Sequence, residues 1–226
     1  MIQTTSSDTE IVHTVTKTGT VNIGIVCKEG IVLAADRKVS LGSGGGGVAY
    51  IGGRIKKIIP LNERLIMSMA GTASDAIRNI AIITAELRLK ELRTKTSVSV
   101  AEAAHLTSNM LFNNIRTPSM IPSIAHFLLA GYDEQGNHLF DLSPYGYLKE
   151  VLTYVSSGSG MVQADPILDT EYKKGLSLEE GIKLAIKCIK ASTGRDPAVG
   201  EGIDVYTITK EEIKQVVSEE IVPLYK

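Results

Sequence analysis

The sequence is poor in aromatic residues and in cysteine. It contains no Trp, three Phe and two Cys among 226 residues. A folded core must therefore be aliphatic, built from Ile, Val, Leu and Ala. The two cysteines, Cys27 and Cys188, stand in separate apolar stretches. That placement favours buried cytosolic thiols over a disulfide or a metal site.

The sequence also lacks a charge excess and a long hydrophobic run. Its 24 Lys and Arg against 25 Asp and Glu give a formal net charge of −1, so nothing favours a nucleic acid or a membrane surface as partner. No apolar run approaches the roughly 20 residues that span a bilayer. Residues 1–19 are polar and threonine-rich, which is unlike a secretory signal. We therefore expect a leader segment on a cytoplasmic protein.

Strand patterns occur near the start, in the middle and at the end of the chain. Turn residues 28–30 between two β-branched runs predict a hairpin. Further strands are predicted in RIKKIIPL, RLIMSMAG, IAHFLLAGYD, HLFDLSP, EVLTYV and IDVYTIT, with a shorter one near 213–217. The segment 41–53, with four consecutive glycines at 44–47, is predicted to be irregular throughout.

Helical patterns occur in two pairs between the strands. Thr72 and Asp75 precede apolar residues at helical spacing, which run from Ala76 to about Arg93. Capping boxes then open helices at Ser99 and Ser177, and a short helix is predicted after the glycine–serine segment 156–160. No repeat or linker divides the chain, so we predict one α+β domain with two sheets covered by helices.

Four segments resemble proteasome β subunits in order and approximate spacing. GTVNIGIVCKEGIVLAADRKVS resembles the start of the mature chain, where a glycine–threonine junction precedes a strand pair. RIKKI followed by MSMAGTASDA, then YVSSGSG, then GRDPAVGEGIDV, match later family motifs. LTSNML and LLAGYDEQGNHLFDLSPYG are similar to archaeal members. The resemblance covers roughly residues 19–210.

The resemblance implies a fold and an assembly. The family fold is a four-layer αββα sandwich of the N-terminal nucleophile hydrolase type. The implied organisation is a leader of residues 1–19 and one peptidase domain of residues 20–226. The implied partners are other β subunits in a heptameric ring, rings of α subunits, an ATP-dependent regulatory particle and unfolded protein substrates. Neither a cofactor nor a metal is implied.

The resemblance makes Thr20 the nucleophile once the bond between Gly19 and Thr20 is cut. A threonine hydroxyl needs a base to remove its proton. The new α-amino group, with a pKa near ~8, can serve as that base. Gly19 suits the residue before the cut because it places no side chain in the way. By itself, the Gly-Thr pair is more typical of a turn entering a strand, and its position within the larger resemblance is what favours the nucleophile.

Five further residues match the catalytic positions of the family. Lys57 matches the lysine beside the nucleophile, whose charge would lower neighbouring pKa values, and Asp36 matches its partner. Gly71 matches the glycine whose backbone N–H stabilises the oxyanion. Ser159 and Asp196 match the residues that complete the hydrogen bonds around the threonine amine.

The matching first specificity pocket contains no charged residue. Its positions correspond to Val39, Ile55, Met69, Ala73 and Ile77. We therefore predict cleavage after apolar residues. Taken without the resemblance, such residues are more typical of a core.

Two departures from the family pattern leave alternatives open. Val199 stands where the family usually has a serine, and a valine cannot hydrogen-bond the amine. The loop between Asp36 and Lys57 is longer than usual. The leading hypothesis is a threonine endopeptidase. The alternatives are a structural β subunit that keeps its leader, and an N-terminal nucleophile amidohydrolase acting on small amides.

Overall fold

The computed structural model describes residues 19–41, 50–120 and 122–220. Within them the strands are β1 (Asn22–Val26), β2 (Ile31–Asp36), β3 (Lys38–Leu41), β4 (Tyr50–Arg54), β5 (Ile58–Pro60), β6 (Leu65–Gly71), β7 (Ala125–Asp133), β8 (Gly136–Leu142), β9 (Leu148–Glu150), β10 (Tyr154–Ser157), β11 (Ile203–Ile208) and β12 (Ile213–Glu219). Sheet I has the order β10-β1-β2-β11-β12, and sheet II has the order β5-β6-β7-β8-β9. Neighbouring strands are antiparallel, and β3 and β4 form a separate hairpin.

The helices of the described residues are α1 (Ala73–Thr94), α2 (Val100–Arg116), α3 (Met161–Glu171) and α4 (Leu178–Thr193). Both predicted capping boxes are present. At the start of α2, the Glu102 N–H donates to Ser99 Oγ over 3.2 Å, while the Ser99 N–H donates to the Glu102 carboxylate over 2.9 Å. These reciprocal bonds satisfy two of the donors that a helix start leaves without intrahelical partners.

Three apolar clusters separate four layers. The helices α1 and α2 pack on sheet II, the two sheets pack face to face, and α3 and α4 pack on sheet I. The predicted α+β fold and the αββα sandwich are confirmed.

The sequence of strand β2 is apolar at every position before Asp36. Ile31 and Leu33 face the other sheet, whereas Val32 and Ala34 face α3 and α4. Because successive strand residues point to opposite faces, a strand with layers on both sides needs apolar residues at every position. The run ends at Asp36, which is fully buried at the rim of the sheet.

Three predictions about the strands were wrong in detail. EVLTYV is not one strand, because β9 belongs to sheet II and β10 to sheet I. RIKKIIPL is also interrupted, with residues 55–57 lying between β4 and β5. The segment 41–53 is not irregular throughout, since its ends pair as strand, Leu41 opposite Tyr50. Its residues 42–49 lie outside the described part of the chain, as do residues 1–18.

Candidate active site

Thr20 lies at the entrance to β1 and is buried, with 3% of its surface exposed. Its carbonyl accepts a hydrogen bond of 3.0 Å from the Gly160 N–H. Its hydroxyl Oγ1 donates to the carbonyl oxygen of Gly19 over 2.6 Å. The hydroxyl therefore lies beside the carbonyl group of the peptide bond that joins Gly19 to Thr20.

The Lys57 ammonium contacts three oxygens around this bond. Its Nζ lies 2.7 Å from Asp36 Oδ1, 2.9 Å from Thr20 Oγ1 and 3.2 Å from the Gly19 carbonyl oxygen. An ammonium has three donors, and each has an acceptor here. Burial lowers the pKa of Lys57 below its usual 10.5, against the opposing effect of the Asp36 charge.

The Asp36 carboxylate accepts hydrogen bonds from three backbone amides as well as from Lys57. Oδ1 accepts from the Val21 N–H at 3.0 Å, and Oδ2 accepts from Lys38 at 3.1 Å and from Gly200 at 3.0 Å. A buried carboxylate with this many hydrogen-bond donors is held in one orientation.

Ser159 and Asp196 form a hydrogen-bonded chain that ends at the backbone nitrogen of Thr20. The Thr20 backbone nitrogen donates to Ser159 Oγ over 3.3 Å, and this hydroxyl donates to Asp196 Oδ2 over 2.5 Å. Asp196 is fixed in the turn after α4, where its N–H bonds to the Ser192 carbonyl at 2.8 Å and its Oδ1 accepts from Ala198. The relay ends at the nitrogen that would become the α-amine after cleavage.

Glycines allow the close backbone approaches that this arrangement needs. Gly158 has φ +91, and an added Cβ would lie 2.2 Å from the Thr20 carbonyl oxygen. Gly71 has φ +94, and its Cβ would lie 2.5 Å from the Ile124 carbonyl oxygen. Both positions combine a left-handed backbone with contact to main-chain atoms, so a side chain would displace a neighbouring segment.

A small recess beside Thr20 has an apolar wall. Four of the predicted pocket residues line it: Val39, Ile55, Met69 and Ala73. The structure does not bring the fifth, Ile77, to the wall, and its surface is 49% exposed. Pattern reasoning missed Lys38, Ala70 and Ala76, which also line the recess. Ala76 was identifiable, because it lies one helical turn after Ala73.

Val199 lies in the core rather than beside a polar group. It is 3% exposed and belongs to the apolar cluster between sheet I and α3 and α4, together with Val21 and Ile203. Its backbone N–H donates to the Asp196 carbonyl over 3.1 Å. The valine is thus accounted for by packing, and its effect on the amine stays a prediction.

All six predicted catalytic residues gather around one end of the sandwich. Thr20, Asp36 and Lys57 are in direct contact, and Ser159 and Asp196 join them through the Thr20 nitrogen. Gly71 lines the recess that also contains Thr20.

The described residues contain neither a cluster of metal ligands nor a membrane-spanning helix. In the described ranges, no group of three or more His, Cys, Asp or Glu side chains is arranged to hold a metal ion. None of the helices found there is both long enough and apolar enough to cross a membrane.

Comparison with known proteins gives concordant matches over most of the chain. A family model described as "Proteasome subunit" matches residues 16–208. The chain is 35% identical over 210 residues to a protein named "Proteasome subunit beta" from Methanocaldococcus vulcanius, covering 92% of this chain and 90% of the relative. It is 36% identical to "Proteasome subunit beta 1" of Thermococcus onnurineus, covering 92% and 97%. The corresponding protein of Thermococcus sibiricus is 38% identical, covering 92% and 95%.

Proposed function

Because the chain belongs to the proteasome subunit family, we propose that it is a threonine endopeptidase of the 20S core, with Thr20 as nucleophile after removal of residues 1–19. The observation that carries this proposal is the position of the Lys57 ammonium. Its Nζ contacts the Asp36 carboxylate, the Thr20 hydroxyl and the Gly19 carbonyl together. A subunit that only fills a place in a ring does not need a buried cation at this peptide bond.

Leader removal would begin with attack of Thr20 Oγ1 on the Gly19 carbonyl carbon. The hydroxyl proton is transferred to the Thr20 nitrogen as the bond from that carbon to the nitrogen breaks, which leaves a free amine and an ester between Oγ1 and Gly19. Water then hydrolyses the resulting ester, which releases residues 1–19 and restores the hydroxyl. Lys57 favours the first step, because it donates to the oxygen on which negative charge develops.

The mature site would use the same atoms on a substrate peptide. The Thr20 amine, held by the Ser159 and Asp196 relay, takes the proton of Oγ1 as this oxygen attacks the substrate carbonyl carbon. The bond from that carbon to the substrate nitrogen then breaks, the nitrogen takes the proton and leaves as an amine, and water hydrolyses the ester on Oγ1. Lys57 lowers the pKa of the hydroxyl electrostatically. The Gly71 N–H is proposed to stabilise the oxyanion, a contribution of about 3 kcal/mol in comparable sites.

We extend the proposal to specificity, partners and location. The apolar wall formed by Val39, Ile55, Met69 and Ala73 favours substrates with an apolar residue before the cleaved bond. By analogy with the family, the chain would form heptameric β rings flanked by α rings. It would receive unfolded proteins from an ATP-dependent particle in the cytoplasm. A peptide panel cleaved fastest after Arg or Asp would contradict the specificity.

A structural β subunit that keeps its leader is the second candidate. The replacement of the usual serine by Val199 is the observation that favours it. The family match gives no support to the third hypothesis, a small-amide hydrolase acting outside a proteasome.

The test is the intact mass of the chain after assembly with the α subunit of the same organism. We expect loss of residues 1–19 from the wild type and from Thr153→Ala, a matched change at an exposed threonine. Thr20→Ala should keep its full mass in barrels of the same size. A wild-type chain that stays full length in complete barrels would reject the enzyme in favour of the structural subunit.

A further inference from the structure

Arg37 is a buried cation that the proposed chemistry does not use. It directly follows Asp36, and only 8% of its surface is exposed. Its guanidinium forms two parallel hydrogen bonds with Asp204, from Nε at 2.8 Å and from an η nitrogen at 2.5 Å. The same η nitrogen donates to Ser218 Oγ over 2.7 Å. The side chain is therefore fixed to β11 and β12, the strands beyond β2 in sheet I.

The main chain of Arg37 joins the segments that carry the catalytic groups. Its N–H donates to the Gly200 carbonyl over 3.1 Å, and its carbonyl accepts from the Ile55 N–H over 3.0 Å. Gly200 in turn donates to Asp36 Oδ2. Ile55 lies two residues before Lys57, and Gly200 lies in the loop that begins at Asp196. The backbone of Arg37 thus connects its own segment, which carries Asp36, to two other segments of the site.

The loop after Asp196 passes close to the Arg37 side chain. Gly202 has φ +151, and a Cβ there would lie 2.6 Å from the Glu219 carbonyl oxygen and 2.8 Å from Arg37 Cδ. Asp204 is 1% exposed and also accepts from Gln215 Nε2 at 2.7 Å. A buried ion pair contributes little net stability compared with an apolar pair of similar volume. Its bidentate geometry does fix orientation.

We propose that Arg37 is a positioning residue whose bidentate ion pair with Asp204 holds the Asp36 carboxylate against Lys57 and Gly200. This inference rests on the proposed threonine endopeptidase function. Arg37 touches no reacting atom in the structure and acts through Asp36. Displacement of catalytic groups by about 1 Å can slow a reaction on the order of a hundredfold.

The test compares Arg37→Met and Asp204→Asn with wild type in assembled barrels. Two rates are measured: leader loss, by intact mass over time, and peptide hydrolysis per processed subunit. We expect each variant to slow both rates at least tenfold. The double variant should be no more than threefold slower than the slower single variant, because both changes remove the same contact. Arg64→Met, at an exposed arginine remote from Asp36, should stay within twofold of wild type.

Peptide hydrolysis is divided by the amount of processed subunit, so that a loss of rate from misplaced catalytic groups is distinguished from a loss of folded subunit. If Arg37 served folding alone, processed subunits of Arg37→Met would hydrolyse peptide at the wild-type rate, and that result would overturn the proposal. Arg37→Lys keeps the charge without the two parallel bonds, so it should recover only part of the rate. If Arg37→Met, Arg37→Lys and Asp204→Asn all fail to assemble, Arg37 is a folding residue and the proposal is rejected. Failure of the wild type to process would instead reject the endopeptidase function.

Discussion

Replacing Gly19 by Ala tests the geometry of the uncleaved bond. In the proposed function this residue is removed with the leader, so the change should affect leader removal and leave the mature enzyme untouched. An added Cβ would lie 1.9 Å from Ala198 Cβ and 2.6 Å from the Ala198 carbonyl oxygen. The predicted defect therefore comes from this contact.

The expected loss in the rate of leader removal follows from the overlap between the added Cβ and Ala198. Carbon atoms in contact normally lie about 3.5–4.0 Å apart, so the Gly19 segment or the loop at Ala198 must move by more than 1 Å. That loop begins at Asp196, and the Gly19 carbonyl lies 3.2 Å from Lys57 Nζ. A shift of this size at an attacked carbonyl costs roughly a hundredfold in rate. We expect leader loss from Gly19→Ala to be slower by about that factor.

The assay follows intact mass over time after assembly, starting from chains mixed with preformed α rings. Gly194→Ala is the matched control, because a Cβ there meets its nearest atoms at an ordinary 3.6 Å. Adding Ala198→Gly to Gly19→Ala removes the shortest of these overlaps, the one with the Ala198 Cβ, and should restore part of the rate. Leader loss from Gly19→Ala within threefold of the wild-type rate would refute the reasoning.

Three other changes have defined outcomes. The Lys57→Met variant should keep its leader. Its free energy of unfolding should fall by about 3 kcal/mol, which is the low end for a broken buried ion pair. The low end is expected because three backbone amides still donate hydrogen bonds to Asp36. The control Lys56→Met, at an exposed neighbouring residue, should lose its leader normally and keep the wild-type stability. Normal leader removal in Lys57→Met would contradict the proposed role of the Lys57 ammonium. Burial raises the pKa of Cys27 and of Cys188 to about 12, so iodoacetamide at pH 8 should label neither thiol until the chain is unfolded, as mass would show. Ser99→Ala should lower the free energy of unfolding by about 1 kcal/mol and the melting temperature by about 2–4 °C. The control Ser97→Ala should leave the melting temperature unchanged.

Local sequence determined the elements whose signals lie within one turn or one hairpin. The boxes at Ser99 and Ser177 specify helix starts through contacts between residues three positions apart. The first hairpin was also predictable, because its turn and both strands are contiguous. The residues at the site were identified by their resemblance to proteasome β subunits. Isolated Thr, Lys and Asp residues at strand ends indicate no particular chemistry.

The tertiary structure decided which segments pair and which side chains meet. EVLTYV divides between two sheets because β9 and β10 find different partners, and an alternating pattern does not encode the partner of a strand. Helix phase against the sheet determined that Ala76 lines the recess and Ile77 does not. Arg37 acquires its role from Asp204, which is 167 residues away in the chain. Sequence alone thus specified elements and residue types, whereas long-range packing set the distances on which the proposed chemistry depends.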